Sequence, residues 1–493
     1  MAESVVVEAP CGRVRGQRVG GIASFLGIPY AEPPLGRLRF AAPDPARPFK
    51  ATFEADSYGP AAPQRRALVE PFATFAGLNR SFSEDCLNLH VWTPDTGGAR
   101  AVLVFLHGGG FIIGSGSQYP GGDLARRGDA VVVTLNYRLG FFGFNGFAEL
   151  FPGDERFANN AGLLDQRLAL QWVRDNIAAF GGDPERVTIA GESAGAASVA
   201  FHMAAPGSHG LFGQAIAQSG GLNLFYPRER AMEIGERTLD ALGARPDRER
   251  LFRLAPQAFG LASRKVTAEF PGIPSRPHFD CGELPDGPLP ALYRAMIPVP
   301  LLIGTNRDEF SFFSELPILK IDSDMASLRR WVGEVAGEVA AARIAALYSR
   351  GRAGRIAFGT DLLFRMAAIH QADDHSQRVP TFMYRLDWEA KGLLSRLGAT
   401  HSVDLPLLFE DFLKPFRSVY LGVLPDPPRL RLSERMRDHW MAFVNGGRPG
   451  EAWPAYRPET RETMIFAGRG DRVVPDPERE RRVAWQAVDG ATP

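Results

Sequence analysis

The sequence predicts a large α/β domain in which helices flank a central, mostly parallel sheet. Runs of branched and apolar residues at 87–93, 101–106 and 130–135 are typical of strands, and two of these runs are continuous, as expected of strands buried on both faces. From 161 to 180 the apolar residues recur three or four positions apart, which indicates a helix lying on that sheet. A short strand, a glycine turn and a small-residue helix follow over 187–204, so strands and helices alternate along the chain.

The composition is that of a folded chain with no preference for polyanions. Of 493 residues, 45% are hydrophobic and 23% are charged, and 56 basic residues balance 56 acidic ones. A net charge of zero argues against nucleic acid as a partner. The first residues lack a basic segment followed by an apolar run, and the longest apolar stretch, 101–113, is interrupted by His107 and three glycines. We therefore expect no export signal and no membrane span.

The cysteines indicate a reducing compartment. Cys11, Cys86 and Cys281 are odd in number and widely separated, which fits neither a disulfide framework nor a thiolate metal site. We therefore expect a cytoplasmic protein without a metal centre.

The organisation along the chain favours one domain over residues 1–493. Two segments rich in helical patterns, 225–300 and 316–378, are interpreted as insertions around the sheet that shape a pocket. Two further strands and a last helix are predicted at 299–304, 380–386 and 432–445. The loops after those two strands contain Glu309 and His401.

A nucleophile pattern lies at the predicted turn from strand to helix. Gly191-Glu192-Ser193-Ala194-Gly195 matches G-x-S-x-G, in which a serine on a tight turn needs glycines because large side chains would collide. The helix that follows directs its first N–H groups toward the serine and favours developing negative charge there. The alternative is a turn that only connects two elements, and the strand and helix on either side argue against it.

A second glycine-rich segment follows an apolar strand. His107-Gly108-Gly109-Gly110-Phe111 allows backbone N–H groups to approach a substrate oxygen closely, as an oxyanion hole requires. The alternative is a phosphate-binding loop, but no Lys-Ser/Thr pair follows and no G-x-G-x-x-G pattern opens a helix. The HGGG-type loop of esterases is therefore the favoured interpretation.

Several longer motifs, in the same order, resemble the type-B carboxylesterases, the family that includes the cholinesterases. They span nearly the whole chain, with the weakest resemblance between about 225 and 378. The motifs are GIPYAEPP at 27–34, SEDCL at 83–87, HGGGF at 107–111, NYRLG at 136–140, NAGLLDQ at 160–166, GESAG at 191–195 and WPAY at 453–456. The resemblance implies an α/β-hydrolase fold and a Ser-Glu-His triad in that chain order.

The resemblance also implies which residues complete the triad. GTNRDE at 304–309 is similar to the family's acid loop, which places the acid at Glu309 with its neighbour Asp308 as the alternative. Phe310 departs from the family, which usually has glycine there. Of nine histidines, His401 stands in THSVDLP, which is similar to the family's base loop.

Other positions receive implied roles in the same way. The oxyanion donors are the N–H groups of Gly109, Gly110 and Ala194. Glu192, Ser219 and Asp404 match a buried polar network behind the site, although Asp404 has the alternative of being a solvated loop carboxylate. Arg39 with Glu84 and Arg138 with Asp165 match two ion pairs, which we assign to stability. Phe111 and Phe310 are candidates for the lining of an apolar substrate pocket.

One departure concerns the disulfide of the family. The cysteine after Ser-Glu-Asp usually pairs with one upstream, but here Ala62 occupies the expected partner position, so Cys86 is predicted to be a free thiol. The loop between them, about 64–82, is then expected to be less constrained than in disulfide-bearing relatives.

These observations predict a cofactor-free serine carboxylesterase acting on small, neutral, mainly apolar esters. An amide or carbamate hydrolase with the same triad is the alternative, and a non-catalytic cholinesterase-like interaction domain is less favoured because Ser193, Glu309 and His401 are all present. We expect a monomer or a weak homo-oligomer. The natural substrate does not follow from the sequence.

Overall fold

The computed structural model describes residues 3–64, 81–245, 247–270, 272–279, 283–284, 288–316, 324–412, 417–424 and 426–486. Two compact units are present. The first comprises Met1–Ile189, Gly207–Phe212 and Phe225–Pro285, and the second comprises Ala190–Pro206, Gly213–Leu224 and Asp286–Pro493. The single domain expected over 1–493 stays a prediction.

The first unit is built on the strands β1 to β8. They are Glu3–Ala9, Gly12–Val19, Ile22–Pro29, Phe53–Glu54, Asn88–Thr93, Arg100–Leu106, Val131–Leu135 and Gly182–Glu192. Their order is β1-β2-β3-β5-β7-β6-β8, with β4 paired to β2. β6 and β7 are parallel and almost wholly buried, which explains their continuous apolar sequences, whereas β1, β2, β3 and β5 pair antiparallel.

The second unit contains the strands β9 to β13. They are Gln214–Gln218, Leu301–Asn306, Thr381–Leu386, Glu462–Phe466 and Arg472–Pro475. β9 to β12 run parallel in this order and β13 closes the edge antiparallel. Gln218 pairs with Gly304, so β9 and β10 end near each other and deliver the segments after them to one edge of the sheet.

Helices cover both units. In the first unit the α-helices are Gly122–Gly128, Phe147–Leu150, Ala161–Asn176, Arg228–Leu242, Arg250–Arg253 and Pro256–Glu269. In the second they are Ala194–Ala204, Leu289–Ala295, Phe310–Glu315, Met325–Ala336, Glu338–Ala345, Arg352–Thr360, Met366–His375, Leu405–Leu408, Arg417–Leu421, Pro427–Gly446 and Arg479–Trp485, with a π-helix at Asp361–Arg365. Short 3-10 helices lie at Gly36–Leu38, Gly116–Gln118, Gly140–Phe142, Ile177–Phe180, Pro206–Ser208, Leu222–Leu224 and Ser395–Leu397.

The core of the first unit is rich in phenylalanine. Phe40 lies at its centre, with the rings of Phe142, Phe147, Phe157 and Phe259 at centroid distances of 5.7 to 6.1 Å. Rings at such distances and mixed angles pack as they do in other protein cores. Many of the 34 phenylalanines of the chain therefore fill core space rather than line a site.

Candidate active site

The turn that carries Ser193 has the strained backbone that its sequence pattern predicts. Ser193 has φ 58° and ψ −121°, a conformation that residues with side chains rarely adopt. It links β8 to the helix Ala194–Ala204, and its N–H donates to Gln218 O at 2.8 Å. A Cβ on Gly191 would lie 2.4 Å from the Gly195 carbonyl group, so the glycine is required. The backbone thus places Ser193 directly before the first turn of a buried helix.

His401 and Glu309 make a short buried contact in the second unit. His401 Nδ1 lies 2.6 Å from Glu309 Oε2, and the two side chains are 5% and 0% exposed. A carboxylate only accepts hydrogen bonds, so Nδ1–H is the donor and Nε2 of the neutral ring remains an acceptor. Nε2 is therefore the atom of His401 that can take up a proton.

The other oxygen of Glu309 is held by two donors. Ser219 Oγ donates to Glu309 Oε1 at 2.5 Å, and the backbone N–H of Asn306 donates to the same atom at 2.6 Å. Ser219 has a φ of 59°, and its N–H donates to Gly304 O at 2.9 Å. Because both carboxylate oxygens are engaged in a fully buried place, rotation of Glu309 would leave donors unpaired.

Asp308, the alternative acid, is hydrogen-bonded to Ala399 and Arg307. Its Oδ2 accepts from the Ala399 N–H at 2.9 Å and pairs with Arg307 at 2.7 Å. The side chain is 26% exposed, and none of its hydrogen bonds among the described residues reaches His401. Asp308 therefore braces the segment that leads to His401.

Glu192, the residue before Ser193, lies beside the second nitrogen of His401. Glu192 Oε1 is 3.3 Å from His401 Nε2 and accepts from Ser402 Oγ at 2.6 Å. Burial raises the pKa of Glu192, and the nearby His401 offsets this only in part. Burial alone would lower the pKa of His401, but the carboxylates of Glu192 and Glu309 outweigh it and raise that pKa. Within the described residues no hydrogen bond joins the Ser193 hydroxyl directly to His401.

Asp404 is fully buried and belongs to a hydrogen-bonded network, not to a solvated loop surface. Its carboxylate accepts from Gln218 Nε2 at 2.6 Å and from Asn306 Nδ2 at 3.3 Å. Gln218 Oε1 in turn accepts from Trp440 Nε1 at 3.2 Å. Burial raises the pKa of Asp404, an effect that these donors reduce.

Two members of this network, Gln218 and Asn306, were not among the predicted site residues. The signal was their position: Gln218 directly precedes Ser219, and Asn306 lies three residues before Glu309 in the acid loop. Each ends a strand of the parallel sheet, where binding and catalytic groups collect in α/β folds.

Aromatic rings surround the imidazole of His401. The ring centroids of Phe313 and Phe364 each lie 5.0 Å from it, and that of Phe312 lies 6.0 Å from it. Phe364 belongs to the π-helix, an element frequent at functional sites. The imidazole thus lies in a largely apolar environment, apart from the two carboxylates.

Phe310 is accommodated by a glycine on another helix. The side chain is fully buried, and a Cβ on Gly359 would lie 2.3 Å from the Phe310 ring. Phe310 N donates to Thr360 Oγ1 at 3.1 Å, and its ring stacks on Phe313 at 6.5 Å. A phenylalanine after Glu309 is therefore compatible with the Glu309–His401 contact. Its part in a substrate pocket stays a prediction.

The glycine loop, His107–Phe111, lies in the first unit. Gly109 has a φ of 106°, and a Cβ on it would lie 2.1 Å from Ile113 O. Gly110 has a φ of 62°, and a Cβ on it would lie 2.7 Å from the Ile273 side chain. Gly109 therefore requires glycine, whereas a side chain at Gly110 would be strained by the positive φ and would displace the end of the Ile273 side chain. Phe111 also has a positive φ, of 60°, and is 2% exposed against Phe144. The parts of Gly109 and Gly110 in an oxyanion hole, and of Phe111 in a pocket, stay predictions.

Both predicted ion pairs are present: the pair of Arg138 with Asp165 is fully buried, and that of Arg39 with Glu84 is partly buried. Arg39 pairs with Glu84 and Arg138 pairs with Asp165, each at 2.6 Å. The Arg138 guanidinium also donates to backbone carbonyls such as that of Ala41 at 2.7 Å, so its charge is well satisfied. These pairs connect segments of the first unit that are distant in sequence, one of them through the helix Ala161–Asn176.

The cysteine prediction is confirmed for the described residues. Cys11 and Cys86 are free thiols, and burial raises the pKa of both. Cys281 and most of the loop predicted to be less constrained, residues 65–80, lie outside the described residues.

Among the residues that the structure describes, no cluster of three or more His, Cys, Asp or Glu side chains is placed to hold a metal ion. Among the described helices, none has the length and apolar character needed to cross a membrane.

The fold and the polar network around Ser193 and His401 define a class of protein. The carboxylesterase family matches residues 3–474, so the chain belongs to this family and is a carboxylic ester hydrolase of the α/β-hydrolase fold. The implied family, fold class and enzyme class are therefore confirmed.

Several relatives are similar to the chain over nearly its whole length. The chain is 38% identical to para-nitrobenzyl esterase of Bacillus subtilis (strain 168), with 97% of each chain covered. It is 32% identical to phenmedipham hydrolase of Pseudarthrobacter oxydans, covering 98% of this chain and 99% of that one. Among solved structures, a thermophilic PNB esterase superposes with a TM-score of 0.88 at 36% identity, covering 98% of this chain and 99% of that one. A Geobacillus stearothermophilus carboxylesterase superposes with a TM-score of 0.86 at 34% identity, covering 98% and 100%.

Proposed function

We propose that this chain is a serine carboxylesterase that hydrolyses neutral, mainly apolar esters through an acyl-enzyme on Ser193. His401 Nε2 takes the Ser193 proton while the serine oxygen attacks the ester carbonyl carbon, and the imidazolium returns the proton to the leaving alcohol. Water activated by the same imidazole then cleaves the acyl-enzyme and releases the acid. The observation that carries the proposal is the buried 2.6 Å contact of His401 Nδ1 with Glu309, in the same unit as the strained Ser193 turn.

The remaining groups stabilise the charges that develop. Glu309 orients the imidazole and stabilises its protonated form. The N–H of Ala194, at the start of its helix, is one donor to the oxyanion, and the N–H groups of Gly109 and Gly110 are further donors on the strength of their motif. Glu192, Ser219 and Asp404 act through the imidazole and its acid.

The test of the mechanism is hydrolysis of p-nitrophenyl butyrate by the wild type and by Ser193→Ala. An organophosphate should inactivate the wild type with one equivalent bound at Ser193, and Ser193→Ala should bind none. Labelling of a different residue, or full activity of a folded Ser193→Ala protein, would overturn the proposal.

The expected preference for apolar substrates has support from the phenylalanine rings around His401. Each buried CH₂ contributes up to about 0.8 kcal/mol, or about fourfold in binding, until the pocket is full. A series of p-nitrophenyl esters from acetate upward should therefore show kcat/KM rising and then falling with acyl length. Preferred use of charged esters, with acetate and butyrate esters left intact, would contradict this.

A second candidate is hydrolysis of amides or carbamates by the same triad. The relative named phenmedipham hydrolase, 32% identical to this chain, is the observation that favours this candidate. Parallel rates on an ester and an amide with the same acyl group distinguish the two candidates.

Three further expectations belong to the proposal: a cytoplasmic location, a monomer or weak homo-oligomer, and no metal or organic cofactor. The triad and backbone donors supply nucleophile, base and oxyanion stabilisation by themselves. Dialysis against EDTA should therefore leave the rate unchanged, and loss of activity that zinc or calcium restores would contradict the mechanism.

A further inference from the structure

Gln64 forms a reciprocal pair of hydrogen bonds with Gly114, which lies three residues after the glycine loop His107–Phe111. Its Nε2 donates to Gly114 O at 2.9 Å, and its Oε1 accepts from Gly114 N at 3.0 Å. The same Nε2 donates to Ala62 O at 3.1 Å. A primary amide offers two donor hydrogens and one acceptor oxygen, so this side chain pairs with both backbone groups of Gly114, as a neighbouring strand would.

Gly114 closes the loop that begins at His107. It has a φ of 122°, and a Cβ on it would lie 2.4 Å from His107 Nδ1 and 2.6 Å from Gly108 O, so the two ends of the loop are in close contact. Inside the loop, Ile113 N donates to Gly109 O at 3.1 Å. Ile113 directly precedes Gly114, and its N–H donates to the Gly109 carbonyl. A displacement of Gly114 would therefore move Ile113 and, through this hydrogen bond, the Gly109 carbonyl group.

Gln64 itself extends from a firmly held segment. Pro60 O accepts from Asn88 Nδ2 and from Asn136 Nδ2, each at 3.0 Å. Ala61 N donates to Ser81 O at 3.1 Å. The position beside it, Ala62, is where relatives are expected to have a disulfide cysteine, so hydrogen bonds hold this segment where a covalent bridge is lacking. The amide of Gln64 is therefore a fixed support and not a mobile surface group.

We propose that Gln64 is a positioning residue that sets the direction of the Gly109 and Gly110 N–H groups. The inference rests on the proposed function, which assigns these N–H groups to the oxyanion. Gln64 is uncharged and acts on backbone geometry, so its loss should slow the formation of the oxyanion without changing the titration of His401. The loop without this support keeps its glycines but not their alignment.

The test compares Gln64→Met with the wild type. Methionine keeps the length of the side chain and removes every hydrogen bond to Gly114 and Ala62. Per active site titrated, kcat should fall about 10- to 100-fold, because small displacements of a catalytic group have effects of this size, while KM stays within about threefold. Inactivation by diethyl p-nitrophenyl phosphate should slow by a similar factor, since its phosphoryl oxygen uses the same donors. The pH of the acid limb should stay unchanged.

Gln17→Met is the matched control, because Gln17 is exposed on β2 in the same unit, and it should retain wild-type kinetics. If Gln64→Met does not fold, Gln64→Asn keeps the amide but shortens its reach, and it should show a smaller loss of kcat with the same unchanged acid limb.

Two results would overturn the inference. One is a lowered melting temperature with kcat per titrated site within about twofold of wild type, which makes Gln64 structural only. The other is a shifted acid limb, which places its effect at His401. Failure of the proposed function is recognised separately, since it appears as ester hydrolysis that does not depend on Ser193.

Discussion

The groups around His401 and the groups around Gly109 are held in place by different physical means. In the second unit, His401 is fixed by charged and polar side chains: Glu309 and Glu192 contact its two nitrogens, and Ser219 anchors Glu309 in turn. In the first unit, Gly109 is fixed by backbone conformation, with a φ of 106° and no room for a Cβ. The difference predicts which property each kind of mutation changes.

Removal of a charge near His401 changes how the imidazole titrates and which tautomer it adopts. Addition of bulk near Gly109 changes where N–H groups point and leaves that titration alone. Rate measurements over a range of pH therefore separate the two regions.

The largest effect is expected at the nucleophile and its base. Ser193→Ala and His401→Ala should each lower kcat about 10⁵- to 10⁶-fold, because each removes an indispensable member of one unit. The double variant should lose little more than either single one, since the second deletion has no mechanism left to damage. Single-turnover and steady-state assays on p-nitrophenyl butyrate check this, and multiplicative losses in the double variant would contradict a joint role.

The next effect is expected at the acid. Glu309→Gln keeps the shape of the side chain, but its amide would donate to Nδ1 and force the ring into the tautomer with a protonated Nε2. We expect a loss of about 10³- to 10⁴-fold in kcat. Asp308→Asn is the control, since Asp308 contacts Ala399 and Arg307, and its rate should change only mildly. If Asp308→Asn lost most of its kcat while Glu309→Gln kept nearly normal kcat, the acid of the triad would be Asp308 and not Glu309.

A smaller effect, of a different kind, is expected in the glycine loop. Gly109→Ala introduces a Cβ that would lie 2.1 Å from Ile113 O, so the peptide must shift. Loss of one aligned N–H donor should lower kcat/KM about 100- to 1000-fold, with the acid limb unmoved. Gly260→Ala, on a helix with open space around it, is the control and should fold and turn over normally. An acid limb displaced in Gly109→Ala would abolish the distinction between the two regions.

The sequence predicted the elements whose pattern is strong. The helix Ala194–Ala204 has the expected bounds, and the helix expected over 161–180 is present as an α-helix continued by a 3-10 turn. Strand ends are displaced: the strand expected at 299–304 spans Leu301–Asn306. β8 begins at Gly182 instead of 187, because its Gly-Asp-Pro start is typical of a turn and hides the extended backbone.

Other elements carry little pattern. β2 has the sequence GRVRGQRV and lies half exposed near the sheet edge, so charged residues mask its alternation. β12 and β13, which follow the last predicted helix, were also not expected. β13 is short and mostly exposed, and such strands depend on their neighbours more than on their own residues. β12 is buried but only five residues long, and an apolar run of that length cannot be distinguished from a helix segment by its pattern.

The residues of the candidate site also differ in whether the sequence predicts them. Motif position pointed to Ser193, Glu309 and His401, which the structure places in one unit. Partners such as Gln218 and Gln64 are ordinary polar residues whose meaning lies in a contact across the fold. Phe310 likewise packs against Gly359, which is 49 residues away in sequence. Neither residue, taken alone, predicts this contact.

The smallest effect is expected at Glu192, where one substitution separates the influence of charge from that of side-chain shape. Glu192→Gln keeps the size of a buried side chain but removes one of the carboxylates that raise the pKa of His401. Without that negative charge the imidazolium is less stable, so the pKa of His401 falls and the neutral, active imidazole persists to lower pH. The acid limb of kcat/KM should therefore move down by about one pH unit, with less than about a tenfold change at its plateau. Glu185→Gln, an exposed position on β8, is the control and should leave the profile unchanged. An acid limb that stays in place would show that Glu192 is uncharged when His401 titrates, so that the other carboxylates, Glu309 and Asp404, raise its pKa. A limb that moves to higher pH would contradict the stabilising effect of Glu192 on the imidazolium.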